Sequence, residues 1–229
     1  MENIIKLSPR LARVAGYVLP GSTAVDVGTD HAYVPIWLLQ TGVSERAFAS
    51  DNKPGPLRRA AEDARRCGVS ERLSLWLCDG LALCPPETVD TVILAGMGGE
   101  TMLNILSAAP WALEKRLILQ PQSKIGDLRR GLAERECAVL DASLVDDAGR
   151  IYLVWLAGKG SMDGSAAVDA PLLARRDPLL RRWLEDQIKR GRKSLRGMEQ
   201  AARPEESAIA ALRSRLEEYE KLRKETAQW

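Results

Sequence analysis

The chain has 229 residues, of which 45% are hydrophobic and 28% charged, so it is long enough for one α/β domain and a smaller second unit. No apolar stretch approaches the roughly 20 residues that cross a bilayer, and no signal-peptide pattern opens the chain. The four scattered cysteines and the single histidine lack the spacing of a metal site, and unpaired thiols fit a reducing compartment. The sequence therefore predicts a cytoplasmic protein without a bound metal.

Charge is unevenly distributed along the chain. Residues 172–229 carry 15 Lys and Arg against 10 Asp and Glu, whereas residues 1–171 carry 18 against 21. A basic C-terminal part on a slightly acidic remainder indicates a polyanionic partner. The alternative is a solvated helix face rich in ion pairs, and charge alone does not separate the two interpretations.

The first 135 residues alternate between predicted helices and strands. Ser8 and Pro9 form a helix-start signal, apolar residues recur at helical spacing up to Leu19, and Pro20-Gly21 ends that helix. Five strands are predicted beyond it, at 23–27, 46–50, 73–78, 89–95 and 116–119. Four helices are predicted between and after them, at 31–41, 55–67, 99–108 and 124–135. This alternation predicts a parallel sheet covered by helices on both faces.

A different pattern follows residue 136. Segments 137–145 and 150–157 are predicted strands, and the turn Asp146-Asp147-Ala148-Gly149 between them is a hairpin signal. A series of βα units that ends in an antiparallel pair resembles the class I S-adenosylmethionine-dependent methyltransferase fold, with a Rossmann-like seven-stranded mixed sheet. A dehydrogenase-type nucleotide fold would more often continue with parallel units.

The C-terminal part is predicted to be helical. Small residues at 158–171 predict a linker, and two helices follow at 177–201 and 205–226, with a break at residues 202–204. The apolar stripes of the two helices consist of Leu180, Leu184, Ile188, Leu195 and Met198, and of Ile209, Leu212, Leu216, Tyr219 and Leu222. These stripes predict a coiled-coil-like hairpin that docks on the first domain or contacts a partner. We therefore divide the chain into residues 1–160 and 171–229.

Acidic residues stand at the ends of three successive predicted strands. Asp26 precedes Gly28 in the first turn, Asp51 follows the second strand, and Asp79 follows the third. The chain has neither a G-x-G-x-x-G motif nor a P-loop, so a ligand with ribose and adenine but no phosphates fits best. S-Adenosylmethionine is such a ligand. The alternative is that these acids only cap helices or turns.

Further polar groups are predicted at the mouth of the same cleft. Asp30, His31 and Tyr33 lie in the first turn, although Asp30 as a helix cap and His31 as a structural residue also fit the sequence. Residues 96–99, Gly-Met-Gly-Gly, form either a wall that a planar base can approach or only a tight turn. After the fifth strand, Gln120-Pro121-Gln122 offers amide groups suited to reading a base edge.

Several segments together closely resemble the bacterial tRNA (adenine-N1)-methyltransferase family of the TrmK type. They are LSPRL (7–11), DVGTDHAYVP (26–35), ASDNKPGPL (49–57), DGL (79–81), ILAGMGG (93–99) and LQP (119–121). The resemblance covers residues 5–157, and the C-terminal helices are similar to that family's coiled-coil domain. Two positions depart from the family pattern, Cys78 where glycine is expected and Gln122 where asparagine is expected.

The resemblance implies that Asp26, Gly28, Asp51 and Asp79 hold S-adenosylmethionine. It places Asp30, His31, Gly96, Met97 and Gly98 around the methyl group and the target base, with Arg10 facing the same cleft. With neighbouring residues added, the predicted cofactor site comprises Asp26, Gly28, Thr29, Asp51, Asn52, Asp79, Gly80, Gly96 and Met97. The predicted catalytic residues are Asp30 and His31. The predicted substrate contacts are Arg10, Tyr33, Gly98, Gly99, Gln120, Pro121, Arg190, Arg192 and Lys193.

The activity that the resemblance implies is methyl transfer to N1 of an adenosine in the D-arm region of tRNA, at position 22. Asp30 would stabilise the positive charge that develops on the base, or accept a proton from N6. N1 lies on the pairing edge, so the nucleotide must leave its stack. The alternatives are a methyltransferase for a small molecule or a protein, and a non-catalytic tRNA-binding protein. The sequence leaves the oligomeric state open, with a monomer slightly favoured.

Overall fold

The computed structural model describes residues 4–201, 205–226 and 229. Its strands are β1 (Ala24–Val27), β2 (Ala47–Asp51), β3 (Leu73–Leu77), β4 (Thr91–Met97), β5 (Arg116–Pro121), β6 (Cys137–Asp147) and β7 (Arg150–Lys159). They form one sheet in the order β3-β2-β1-β4-β5-β7-β6. Strands β1 to β5 are parallel, and β7 is antiparallel to both β5 and β6. The predicted seven-stranded mixed sheet is confirmed.

Helices cover both faces of this sheet. They are α1 (Pro9–Ala15), α2 (Tyr33–Gln40), α3 (Pro54–Arg66), α4 (Gly99–Ala108), α5 (Ile125–Ala133), α6 (Ala170–Ala174), α7 (Leu180–Glu199) and α8 (Glu206–Glu225). Apolar residues of α1, α2 and α3 pack on one face, where Ala24, Ile93 and Ile118 point. Val25, Val92 and Leu117, one position away on their strands, face α4, α5 and the C-terminal helices.

Helix α1 is shorter than the sequence predicts. Ser8 caps its start by accepting from the Leu11 amide, with Pro9 at the first helical position. The helix ends at Ala15, because the amides of Tyr17 and Val18 bond to carbonyls only three residues back, at 3.2 and 3.0 Å. Tyr17 and Val18 are nevertheless buried. The apolar spacing therefore identified Val14, Ala15 and Val18 as buried, but it extended the helix too far and included Leu19, which is exposed.

The two long C-terminal helices form the predicted hairpin. Arg192 pairs with Glu220 at 2.7 Å and Glu199 pairs with Arg213 at 2.6 Å, so α7 and α8 run antiparallel. They approach closely at Gly191, where a Cβ atom would lie 2.7 Å from Leu216 Cδ2. The predicted break at residues 202–204 lies outside the described residues. Among the described residues, every helix is too short or too polar to span a lipid bilayer.

The hairpin shares one hydrophobic core with the sheet. Its members Trp183, Leu184, Ile188, Leu216 and Tyr219 belong to the same buried cluster as Val25 and Leu117. The hairpin therefore docks on the first domain, one of the two outcomes that the apolar stripes allowed. The division of the chain into a domain of residues 1–160 and a tRNA-contacting domain of residues 171–229 remains a proposal.

Residues 158–171 are not the free linker that their small side chains suggest. Strand β7 continues to Lys159, and Asp169 is buried beneath the hairpin. Its carboxylate accepts from Arg129 and from the Trp155 indole, both at 2.7 Å, while Arg129 also donates to the Ala166 carbonyl. Burial raises the pKa of Asp169 despite the adjacent guanidinium. Composition was misleading here, because small residues also allow close packing.

Candidate active site

The carboxyl ends of β1, β2, β3 and β4 meet along one edge of the sheet. The strand order reverses between β1 and β4, which is where open α/β sheets bind ligands. Asp26 lies near the end of β1, Asp51 ends β2, and Asp79 follows β3 by two residues. The structure thus brings the three predicted acids to one edge.

Ser50 connects the three loops that leave this edge. Its carbonyl accepts from the amides of Gly28 and Thr29, at 2.8 and 3.1 Å. Its hydroxyl donates to the Gly80 carbonyl at 2.8 Å. Sequence reasoning missed this buried serine, and its one signal is a polar residue that directly follows the apolar residues 47–49 of β2.

The carboxylates of Asp51 and Asp79 remain available for a ligand. One oxygen of Asp51 accepts a hydrogen bond from the Lys53 amide at 2.8 Å. The turn-capping alternative therefore explains one oxygen of the Asp51 carboxylate but not the other. No described residue donates to its second oxygen or to the Asp79 carboxylate, and Asn52 and Asp79 are exposed. Two open carboxylates at adjacent strand ends suit the hydroxyl and amino groups of an adenosine. Across the described residues, no group of three His, Cys, Asp or Glu side chains could hold a metal ion.

Asp26 has an unusual electrostatic environment. Desolvation raises its pKa from an ordinary 3.8 to about 6, while a hydrogen bond with Thr29 and the charge of Arg10 act in the opposite direction. A cationic ligand group placed beside Asp26 would favour the carboxylate. The position therefore suits a positively charged part of a ligand.

Arg10 reaches the same edge from α1. Its Nη1 donates to Gln120 Oε1 at 2.8 Å, and its guanidinium lies 5.4 Å from the centre of the Tyr152 ring. Asp147, the last residue of β6, accepts from the Ser8 hydroxyl at 2.7 Å and from the Arg10 amide at 3.4 Å. The β6–β7 hairpin thus fixes the start of α1 and the position of Arg10.

Gln120 is fully buried, and both ends of its amide are occupied. Its oxygen accepts from Arg10, and its Nε2 donates to the Pro121 carbonyl at 3.3 Å. In this arrangement Gln120 orients Arg10, and its contact with a base edge stays a prediction. Gln122 lies closer to the cleft, with its Nε2 near Gly96.

Two glycines of the cleft are required by geometry. Gly28 has φ +72°, and a Cβ atom there would lie 3.0 Å from Met97 Cε, so the first turn and the end of β4 are in close contact. At Gly99 a Cβ atom would lie 2.6 Å from the Lys124 carbonyl oxygen, because α4 starts directly against the loop after β5. Gly96, Met97 and Gly98 form the open wall between them.

Asp30, His31 and Tyr33 lie together at the mouth of the cleft. Ala32, with φ 51°, is the N-cap of α2, and its amide donates a hydrogen bond to Thr29 Oγ1 at 3.0 Å. The helix-cap interpretation of Asp30 is therefore wrong. The side chain of Asp30 is 66% exposed and pairs with Arg59 of α3. The His31 ring stacks on Tyr33 with centroids 4.8 Å apart. Its Nδ1 contacts Asp63 of α3 at 2.7 Å, and its Nε2 lies 3.7 Å from Asp30.

Sequence reasoning missed Arg59 and Asp63, the two residues of α3 that hold this triad. Asp63 is buried on the same helix face as Leu57, Ala60 and Ala64. An acid on the apolar face of an amphipathic helix is the signal that could have identified it.

Comparison with known proteins agrees with this arrangement. A methyltransferase-domain family model matches residues 7–155. The tRNA (adenine(22)-N(1))-methyltransferase of Bacillus subtilis (strain 168) is 32% identical over 165 residues, which cover 71% of this chain and 69% of that protein. The chain belongs to the TrmK-type tRNA (adenine-N1)-methyltransferase family. The family predicted from the motifs is confirmed.

Solved structures extend the match over the C-terminal helices. Sp1610 of Streptococcus pneumoniae, in complex with S-adenosyl-L-methionine, is 28% identical with a TM-score of 0.74, over 95% of this chain and 100% of that one. TrmK of B. subtilis is 26% identical with a TM-score of 0.75, over 97% and 98%. The hairpin is therefore part of the architecture that this TrmK-type chain shares with those structures.

A half-open cavity of about 690 Å³ lies against the hairpin of this TrmK-type chain, beside the cleft. The cavity begins at Gln122 and Ser123, next to Gly98, and continues between α5 and the hairpin. Its basic lining residues are Lys124, Arg130, Arg190 and Arg215.

The predicted tRNA contacts of the hairpin are divided between its two sides. Arg190 lines this cavity, whereas Arg192 pairs with Glu220 and lines a second hollow with Lys189, Arg196 and Arg223. Two residues apart on a helix means about 200° of rotation, so Arg190 and Arg192 point in opposite directions. Lys193 is exposed and lines neither hollow.

Proposed function

We propose that this chain transfers the methyl group of S-adenosylmethionine to N1 of an adenosine in tRNA. The observation that carries the proposal is that open carboxylates at Asp51 and Asp79 share one sheet edge with the Asp30–His31 pair, in a chain of the TrmK-type family. Position 22, which the name of the B. subtilis relative gives, is the proposed target. The proposed place of action is the cytoplasm, where tRNA is found.

The residues at the strand ends fit S-adenosylmethionine. Asp51 would accept hydrogen bonds from the ribose hydroxyls, and Asp79 from the adenine amino group. Asp26 would face a positively charged part of the cofactor. When bound, S-adenosylmethionine supplies an electrophilic methyl group on a positively charged sulfur. Gly28, with φ +72°, has a backbone conformation that strains residues with a Cβ atom, which favours glycine in the first turn.

Asp30 is the group best placed to act on the target base. Adenine N1 carries a free lone pair, so the reaction needs alignment rather than prior removal of a proton. The base becomes cationic as the new bond forms, and a nearby carboxylate stabilises that charge. Arg59 orients Asp30 through its ion pair, while exposure leaves room for a base to reach it.

The tRNA strand would enter along the cavity that begins at Ser123. N1 is hidden in a duplex, so the target nucleotide must be extruded, at a cost of a few kcal/mol. Gly96 and Gly98 offer a flat wall for the extruded base. Arg190 and Arg215 of the cavity lining would contact the adjoining phosphates, whereas Lys124 and Arg130 pair with Asp127.

Nucleoside mass spectrometry tests the activity. Bulk tRNA incubated with the chain and labelled S-adenosylmethionine should yield labelled 1-methyladenosine after digestion at neutral pH. Label in protein or metabolite fractions alone would instead support a methyltransferase for a protein or a small molecule. Cofactor-independent tRNA binding without any labelled nucleoside would support a non-catalytic tRNA-binding protein.

Substitution of Asp51 tests the cofactor site. We expect Asp51→Ala to weaken S-adenosylmethionine binding by about 10- to 100-fold, because each hydrogen bond to a charged group contributes about 1.5–3 kcal/mol. Isothermal titration calorimetry of the purified variant measures this loss directly.

Asp51→Asn is the matched control for the turn. Asparagine keeps an oxygen that accepts the Lys53 amide but lacks the charge, so its affinity should fall between those of the wild type and Asp51→Ala. Wild-type affinity in Asp51→Ala would remove this residue from the cofactor site.

Arg190→Gln and Arg192→Gln test which side of the hairpin contacts tRNA. We expect Arg190→Gln to weaken tRNA binding by about tenfold and to reduce the salt slope by about one, because one phosphate contact is lost. Arg192→Gln removes an equal charge from the opposite side and should leave both quantities near the wild-type values. Filter binding over a series of salt concentrations measures both. Equal effects of the two variants would contradict the cavity path.

A further inference from the structure

Asp63 is an unusual acid for its place in the fold. It lies on the buried face of α3, and its side chain is 10% exposed. One of its oxygens contacts His31 Nδ1 at 2.7 Å, and the other accepts from Arg66 at 2.6 Å. Both oxygens are therefore occupied, one by the only histidine of the chain.

This contact determines which nitrogen of His31 carries a proton. A carboxylate that is paired with an arginine only accepts hydrogen bonds, so Nδ1 must be the donor. In the neutral ring Nε2 is then an acceptor. The ring is fixed further by Tyr33, which stacks on it with centroids 4.8 Å apart.

The free acceptor of His31 faces a second acceptor. Nε2 lies 3.7 Å from Asp30 Oδ2, and the other oxygen of Asp30 is held by Arg59. No other described residue donates to Asp30 Oδ2. Two acceptors that face one another without a donor between them leave a place for an N–H group from outside the chain.

We propose that Asp63 is a positioning residue that holds His31 with its proton on Nδ1. His31 Nε2 and the Asp30 carboxylate then together accept hydrogen bonds from the exocyclic amino group of the target adenine. The proposal rests on the proposed function and deepens it, because it states how the base is chosen. A 6-oxopurine presents an oxygen acceptor at the same place and would be repelled. Methylation at N1 makes the amino group a stronger donor, so the same contacts strengthen as the reaction proceeds.

The single histidine allows a direct test by NMR. In tag-free protein labelled with ¹⁵N-histidine, at a pH where the ring is neutral, the ¹⁵N shifts should show Nδ1 protonated and Nε2 unprotonated. In Asp63→Asn the amide can donate to Nδ1, and the proton should move to Nε2. A wild-type ring with its proton on Nε2 would overturn the proposal, and this measurement needs neither tRNA nor a folded variant.

Kinetics with two tRNA substrates test the role of the acceptor pair. One substrate carries adenosine at the target position, and the other carries purine riboside, which keeps N1 but lacks the amino group. The wild type should prefer adenosine by at least about tenfold in kcat, and Asp63→Asn should lose most of this preference while its KM for tRNA changes little. The control Glu62→Gln, an exposed neighbour on α3, should stay within about twofold of the wild type.

The outcomes separate this proposal from the proposed function. No methylation of either tRNA by the wild type would contradict the proposed function, whereas the NMR measurement still decides how Asp63 controls His31. Normal methylation of adenosine with an unchanged preference in Asp63→Asn would overturn the acceptor pair alone. A purely structural role for Asp63 would lower the melting temperature without altering the preference.

Discussion

Asp30→Ala should lose most methyl transfer while it retains S-adenosylmethionine binding. We expect kcat to fall by about 10²- to 10⁴-fold, because the proposed function assigns this carboxylate the stabilisation of the charge that develops on the base. Cofactor affinity should stay near the wild-type value, since Asp51 and Asp79 lie at other strand ends. Single-turnover transfer to tRNA, combined with calorimetric titration of the cofactor, separates the two effects.

Two further variants make the test specific. Asp30→Asn keeps the shape but removes the charge, so it should lose nearly as much activity as Asp30→Ala. Glu114→Ala removes a different exposed, ion-paired acid, the partner of Lys159, and should leave kcat unchanged. Parental turnover in both Asp30 variants would show that this residue is not catalytic.

Asp169→Ala should destabilise the folded chain by about 3–5 kcal/mol. The substitution leaves the Arg129 guanidinium, itself 3% exposed, buried without its counter-charge, and it also removes the acceptor of the Trp155 indole. The affected segment lies between the sheet and the hairpin, so the loss should affect both. Urea denaturation followed by tryptophan fluorescence measures the free energy of unfolding.

Asp163→Ala is the matched control for Asp169. Asp163 lies in the same segment, but it is exposed and bonds mainly to Ser165. Its removal should change the free energy of unfolding by about 0.5 kcal/mol or less. A loss for Asp169→Ala as small as this would mean that the buried pair does not anchor the segment.

The sequence was most informative where chemistry depends on local spacing. The sequence correctly placed the acids at residues 26, 51 and 79 at one edge of the sheet. Alternation of strands and helices allowed this, because it brings the ends of parallel strands together. The apolar stripes of α7 and α8 predicted a hairpin for a similar reason. Both inferences need only the spacing of apolar residues along each helix or strand and the direction of the chain.

The sequence was least informative where residues distant along the chain meet. His31 and Asp63 are 32 positions apart, and Arg129 and Asp169 are 40 positions apart. Helix period alone could not pair them, because each pair depends on how α3 or the segment before α6 crosses its neighbour. Arg190 and Arg192 are a different case, because the period of α7 already places them on opposite sides, and the structure adds which of the two lines the cavity beside the cleft.

The most direct measurement is methyl transfer to two tRNA transcripts that differ only in whether nucleotide 22 is adenosine or uridine. We expect the chain to incorporate label from S-adenosylmethionine into the first transcript alone, as 1-methyladenosine. Label in both transcripts, or in neither, would contradict an active site in which strand-end carboxylates direct a methyl group to this adenine.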